Sequence, residues 1–289
     1  MRQLIRYHDV RPCSVRAARN DLNKNVLQTY IMYVCNMTGE SFDISDDEKH
    51  REGGNVRPGS TSFVRHRAIY YALTKELYGN ARCLSEVERN KAIRGIGMSQ
   101  PCPILEEKYS YTNTKYHEEP LLDIHNDSHV RRYSGQDFVI SSDVFEHISP
   151  YPTLQHGFDN MFSLLKPGGF IVFSVPYNLA PIEHLEHYPD LYDYTIKEEE
   201  GEHVLYNRTL SGKHEEFRDL VFHGGPGSTL EMRVFTRESV IGHLRKAGFV
   251  DIRFHDDWAD MNKYGIFWSP NNDCNWSLVI TARRPDKRD

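Results

Sequence analysis

No stretch of this sequence approaches the roughly 18 consecutive apolar residues that a membrane helix needs, and the mean hydropathy is −0.62. No membrane association is expected. A basic surplus is lacking too. The 35 Lys and Arg stand against 41 Asp and Glu, a formal net charge of −6, whereas nucleic-acid binders usually carry the opposite excess. No nucleic-acid partner is expected. Cysteine is sparse, odd in number and scattered: Cys13, Cys35, Cys83, Cys102 and Cys274 do not read as a disulfide framework. The residues from Met1 to His8 contain no apolar secretory core, so the expected compartment is the reducing cytoplasm. With 19 Gly and 14 Pro, collagenous and low-complexity classes are excluded. Internal repeats are missing as well. What is there is a chain of 289 residues, 39% hydrophobic and 26% charged. That is enough for one substantial core with additions.

Four zones differ in character. Residues 1–60 are polar and irregular, and Gly53 to Gly59 is turn-rich. Residues 61–176 alternate helical and strand patterns, as an α/β sheet does. Residues 177–233 are rich in His, Tyr, Glu and Gly, and residues 234–289 return to a helix–strand–strand pattern.

The middle of the chain is the most legible part. Phe138-Val139-Ile140 is a short apolar strand ending in Ser141-Ser142. Tyr151, Leu154, Phe158, Met161, Phe162 and Leu165 then recur at i, i+3, i+4 spacing, which predicts a helix with one buried face. Lys166-Pro-Gly-Gly169 stops it. Phe170 to Val175 is a nearly continuous apolar run, as in a strand covered on both faces. Further on, Thr236 is a candidate N-cap, Val240, Ile241, Leu244 and Ala247 form a stripe, and Gly248 is a candidate C-cap. Val250 to Phe254 and Trp276 to Ala282 read as strands. Upstream, Arg82 to Val87 and Ala92 to Met98 read as strands and Pro103 to Tyr109 as a short helix.

Asp137-Phe-Val-Ile-Ser-Ser-Asp-Val-Phe-Glu-His147, followed by Leu164-Leu-Lys-Pro-Gly-Gly-Phe-Ile-Val-Phe-Ser-Val-Pro176, resembles the class I S-adenosylmethionine (SAM)-dependent methyltransferases. The likeness spans roughly residues 68–176 and 234–283. It implies a Rossmann-like, seven-stranded, mostly parallel α/β sheet over residues 68–289, with one antiparallel strand near the edge. The insert 177–233 would be a substrate lid, and SAM the cofactor. The family's glycine-rich loop is not found after Arg82–Val87, the candidate first strand. Gly95-Ile-Gly97-Met98-Ser99 then falls at the end of the second strand, where the family normally has an acidic residue. The resemblance implies a divergent branch in which Gly97, Met98, Ser99, Asp123, Ile124, Ser141, Ser142 and Asp143 surround the cofactor. In the alternative reading, the glycines only permit tight strand packing. A weaker likeness covers the cap, residues 1–67. Cys35-Asn-Met-Thr-Gly39 and Arg57-Pro-Gly-Ser60 resemble a zinc ribbon, but Thr38 stands where a second thiolate belongs. A structural zinc needs four ligands, so a ribbon without metal is expected. Arg65-His-Arg67 is placed to reach an anion or to form a solvated turn.

His147, in the turn after the fourth family strand, and Tyr177, first in the insert, are the candidate catalytic residues. A tyrosine face stabilises a sulfonium by cation–π attraction, and a histidine takes a proton near neutral pH. His184-Leu-Glu-His187 has a metal-ligand spacing but no third ligand, and no metal is assigned. A small-molecule methyltransferase is the leading expectation. Two other classes stay open: a SAM-consuming enzyme that cyclises the ligand's own amino-acid chain and releases methylthioadenosine, and a non-catalytic relative that serves as an interaction protein.

Overall fold

The computed structural model describes residues 32–43, 64–178, 185–223, 225–266 and 278–286. In chain order, β1 (Met32–Val34) and β2 (Ser41–Asp43) form an antiparallel hairpin. Helix α1 (Val64–Tyr78) follows, then β3 (Arg94–Met98), α2 (Pro103–Lys108), β4 (Ser110–Thr114), α3 (Asp127–Tyr133), β5 (Gln136–Ser142), α4 (Leu154–Leu164) and β6 (Leu165–Ser174).

The insert contributes β7 (Tyr177–Asn178), β8 (Leu185–Glu186), β9 (Asp193–Glu199), β10 (Glu202–Arg208), β11 (His214–Phe217), β12 (Phe222–His223) and β13 (Thr229–Leu230). β14 (Arg233–Thr236), α5 (Arg237–Ala247), β15 (Val250–Phe254), the one-turn α6 (Trp258–Met261) and β16 (Ile280–Arg283) complete the order.

The central sheet has six strands in the order β15-β16-β6-β5-β3-β4. β4, β3, β5 and β6 run parallel. β16 is antiparallel to both β6 and β15, one place in from the edge. The architecture is therefore Rossmann-like and mostly parallel, as expected, with Val250–Phe254 beside the last strand. Among the described residues the sheet has one strand fewer than the seven expected, and a single parallel bridge, Lys115↔Leu121, extends it. The bridge lies on the outer edge of β4, because Thr114 accepts from Ser99 on the inner side while Lys115 bonds Pro120 and Leu122 on the other.

Alternation along the strands gives two cores. Phe138, Ile140, Phe170 and Val172 face α1, α2 and the β1–β2 hairpin. Val139, Ile171 and Phe173 face α3, α4 and α5. Helices thus cover both faces, which is why the parallel strands read as continuous apolar runs. The stripe becomes α4 only from Leu154 to Leu164, opened by Thr153, whose side chain accepts from the His156 N–H; Tyr151 precedes the helix and is exposed, and Leu165 already opens β6. Helix α5 has the Thr236 cap, reciprocated by Ser239, and ends on Gly248 at φ 101°.

One strand assignment is corrected. Arg82–Val87 is not a strand: Leu84–Glu86 is a single 3₁₀ turn. Its backbone is taken up by the hairpin, with Leu84 and Ser85 N–H donating to the carbonyls of Asn36 and Met37. The first strand of the parallel run is therefore β3, between β4 and β5. The cap residues Arg57–Ser60 and the start of the Trp276–Ala282 segment lie outside the described residues. Cys35 is buried in the hairpin, and the Cys83 thiol lies 3.7 Å from its carbonyl. No described helix is long and apolar enough to cross a membrane.

Candidate functional site

The chain leaves β3 for β4 on one side and later returns to β5 on the other. At such a reversal the loops part, and the carboxyl ends of the strands open a crevice in which α/β sheets bind ligands. Here those ends carry Met98-Ser99 and Ser141-Ser142-Asp143.

Asp143 sits at φ 50°, and its N–H donates to the Ser174 carbonyl at 2.9 Å. One carboxylate oxygen accepts from Ser174 Oγ at 2.9 Å, and the other pairs with the Arg65 guanidinium from the first turn of α1. Ser142 Oγ is 3.1 Å from Ser174 Oγ. Ser141, between Met98 and Phe173 in the sheet register, has a buried hydroxyl with no hydrogen-bond partner among the described residues. Ser99 is exposed and holds φ 53°. The next residue, Gln100, is fixed by three contacts: its N–H to Asn113 Oδ1, its side-chain amide to Tyr70 Oη, and its carbonyl to Tyr111 Oη.

Other sequence candidates fall in packed positions. A Cβ on Gly97 would lie 1.9 Å from Tyr111 Oη, and one on Gly95 would lie 2.1 Å from the Phe138 ring. Both glycines leave room for aromatic rings under the sheet, which favours the strand-packing reading. Met98 and Ile124 belong to the core below α4. Asp123 is half-buried and accepts the His125 N–H at 2.9 Å, closing its own turn. Tyr177 is fully buried, its ring edge-on to Phe254 at 5.7 Å. Its hydroxyl has no hydrogen-bond partner among the described residues, and burial pushes its pKa upward. Arg67 is also fully buried, donating to the Gly265 carbonyl and lying over the Phe42 ring. Of the Arg65-His-Arg67 triplet, only Arg65 reaches the strand ends.

A second polar group follows β5. His147 Nδ1 lies 2.7 Å from the Leu230 carbonyl, and its Nε2 lies 3.1 Å from His223 Nδ1. His223 Nε2 is 2.5 Å from one oxygen of Glu231, and His187 Nε2 is 3.1 Å from the other. Glu146, fully buried, lies against the two facing ring nitrogens at 3.6 and 3.7 Å. Burial and then the nearby Asp143 charge hold its carboxyl well above the usual range. Burial also works upward on Glu231, but hydrogen bonds and charge from His187 and His223 outweigh it and hold the group down at about 2. The insert is stitched to this turn through Met232 N–H to the Glu146 carbonyl and Arg233 Nη1 to the Phe145 carbonyl. Beside it, a cleft of about 470 Å³ opens between Pro150–Pro152 and the insert residues Pro189–Tyr192 and Thr209–Ser211.

No family model matches the chain. No curated protein matches it either. Among solved structures, the chain is similar to a SAM-dependent methyltransferase from Clostridium acetobutylicum at 12% identity, with 66% of this chain and 84% of that chain covered and a TM-score of 0.38. The 1,6-didemethyltoxoflavin-N1-methyltransferase of Burkholderia thailandensis, solved with S-adenosylhomocysteine, gives 14%, 77%, 79% and 0.38. A sugar N-methyltransferase from Streptoalloteichus gives 10%, 75%, 85% and 0.40. Likeness at this level leaves the chemistry to be read from this chain's own residues.

Sequence reasoning placed Ser141, Ser142, Asp143 and His147 at the strand ends. It missed Glu146, His223 and Glu231 as one group, because His223 is 76 residues from His147 and no local spacing joins them. The signal that was present is the density of His and Glu in an insert that starts and finishes at one sheet edge.

Proposed function

We propose that the chain is a SAM-dependent methyltransferase acting on a small-molecule acceptor, with the cofactor held at the carboxyl ends of β3 and β5. The observation that supports this is the reversal of strand order around β3, which gathers hydroxyls, a carboxylate and a guanidinium at one crevice. That donor set fits a ligand carrying an amine, a carboxylate and ribose hydroxyls. Ser99, Ser141, Ser142 and Asp123 would meet its polar groups, and Arg65 would face its carboxylate. The orphaned hydroxyl of Ser141 is the atom that such a ligand would satisfy. Bound SAM supplies an electrophilic methyl group.

The protein's own part is positioning and exclusion of water. Asp143 holds Arg65 over the strand ends. The insert walls the acceptor side, and the neighbouring cleft lies within the size range of small-molecule sites. His147 belongs to that side, whereas Tyr177 gives its ring to the core.

Calorimetry with SAM tests the reading. Wild-type protein should bind, and Ser141→Ala should keep its stability while binding about 2- to 12-fold more weakly, the worth of one hydrogen bond. Absence of binding to the wild type overturns the reading. Product analysis with candidate acceptors should give S-adenosylhomocysteine; methylthioadenosine in its place would assign the cyclising reaction.

A further inference from the structure

We propose that Glu146, His147 and His223 form a binding site for a divalent first-row transition-metal ion. The argument begins with which ring nitrogens carry hydrogen. The Leu230 carbonyl can only accept, so His147 Nδ1, 2.7 Å away, donates to it and Nε2 presents a lone pair. The Glu231 carboxylate also only accepts, so His223 Nε2 donates to it across 2.5 Å and Nδ1 faces inward. The two inward nitrogens are 3.1 Å apart.

Glu146 Oε1 completes a triangle with them, 3.6 Å from one and 3.7 Å from the other. Its carboxylate is fully buried, and neither oxygen has a hydrogen-bond partner among the described residues. Bonds of 2.0–2.1 Å from a tetrahedral ion separate its ligand atoms by about 3.3 Å. The observed triangle therefore needs shifts of only a few tenths of an ångström.

Two occupants of the triangle compete. Protons on the rings or on Glu146 can also fill the triangle, but each proton bridges only one pair of its three inward atoms and leaves a buried polar atom unmatched, which is costly. A dication meets all three donors and offsets the carboxylate charge. The outer contacts have the form found around metal-bound histidines: a backbone carbonyl orients one ring and a carboxylate the other. Two imidazoles and one carboxylate suit zinc or ferrous iron. His147 and His223 side chains are 16% and 37% exposed, so the face of the triangle away from Glu146 gives an entry path and room for an oxygen ligand. Cys35 is not part of this triangle, and His187 reaches it only through Glu231; His184 lies outside the described residues.

The test uses the full chain stripped with a chelator and then titrated with Co²⁺ and Zn²⁺. One ion per chain should bind, raise the thermal midpoint and, for Co²⁺, give visible absorption without the intense near-ultraviolet band of thiolate ligation. Glu146→Gln and His223→Ala should each weaken binding at least 10-fold, and Glu231→Gln by about 10- to 100-fold. His223 is partly exposed, so its variant keeps the test open should Glu146→Gln fail to fold. No uptake by the wild type, uptake unchanged in His223→Ala, or a thiolate band pointing to the cysteines would each overturn the proposal and leave the proton as the occupant. None of these readouts depends on methyl transfer. SAM binding that fails while Co²⁺ binds would therefore sink the methyltransferase reading alone.

Discussion

Tyr177 shows how a residue well placed along the chain can be packed out of a site. It begins the insert at the end of β6, yet its ring lies among Phe235, Phe254 and the core below α4. Tyr177→Phe removes a buried hydroxyl that has no partner among the described residues, so urea unfolding should show stability unchanged or raised. Tyr177→Ala should cost about 3–5 kcal/mol, as large-to-small aromatic changes in cores do. Any loss of activity in the alanine variant would then track unfolding. His255 carries a different prediction. It is buried, with Nε2 3.0 Å from Thr281 Oγ1, and burial, aided by the Lys75 and Arg253 charges, lowers its pKa to about 4 against the pull of Glu76 and Asp256. Between about pH 6.5 and 4 the unfolded chain binds this proton and the folded chain does not. The contribution is therefore complete above pH 6.5 and lost on acidification, by at most about 1.4 kcal/mol per pH unit. Urea unfolding at pH 7, 6 and 5 should show this limb in the wild type and a shallower one in His255→Asn.

At the scale of elements, helices α4 and α5 and strands β5, β6 and β15 were legible in the sequence, because apolar periodicity and caps are local signals. Arg82–Val87 was not. Its apolar spacing matches a strand, but the partners that fold it into a turn belong to the hairpin some 48 residues upstream, beyond any local pattern. That one displacement moved Gly95 and Gly97 from the first strand to the second and obscured the strand order around them. Their role now has a test. Gly97→Ala forces a Cβ onto Tyr111 Oη, an overpacking worth about 1–3 kcal/mol. In a Tyr111→Phe background the obstructing atom is gone, so the same substitution should cost less. A double-mutant cycle in chemical denaturation reads the coupling; additive costs would mean that the strain lies elsewhere.

Across the whole molecule, the polar residues at the end of β5 were legible because they form one short stretch of sequence. The group around Glu146 was not, since it needs the insert folded back on the turn. The sheet also joins distant parts of the chain: β16 lies between β6 and β15, forming the only ladder partner of β15 among the described residues. A chain ending before residue 280 would leave bare edges on both neighbours, and limited proteolysis should digest it where the full chain resists. The same placement sets a schedule for synthesis. β15 emerges from the ribosome before the strand that must slot in beside it, and β6 emerges more than a hundred residues earlier. Until Ile280 to Arg283 clears the exit, the nascent sheet keeps an open gap, and the cell's chaperones would meet this protein as an unfinished edge.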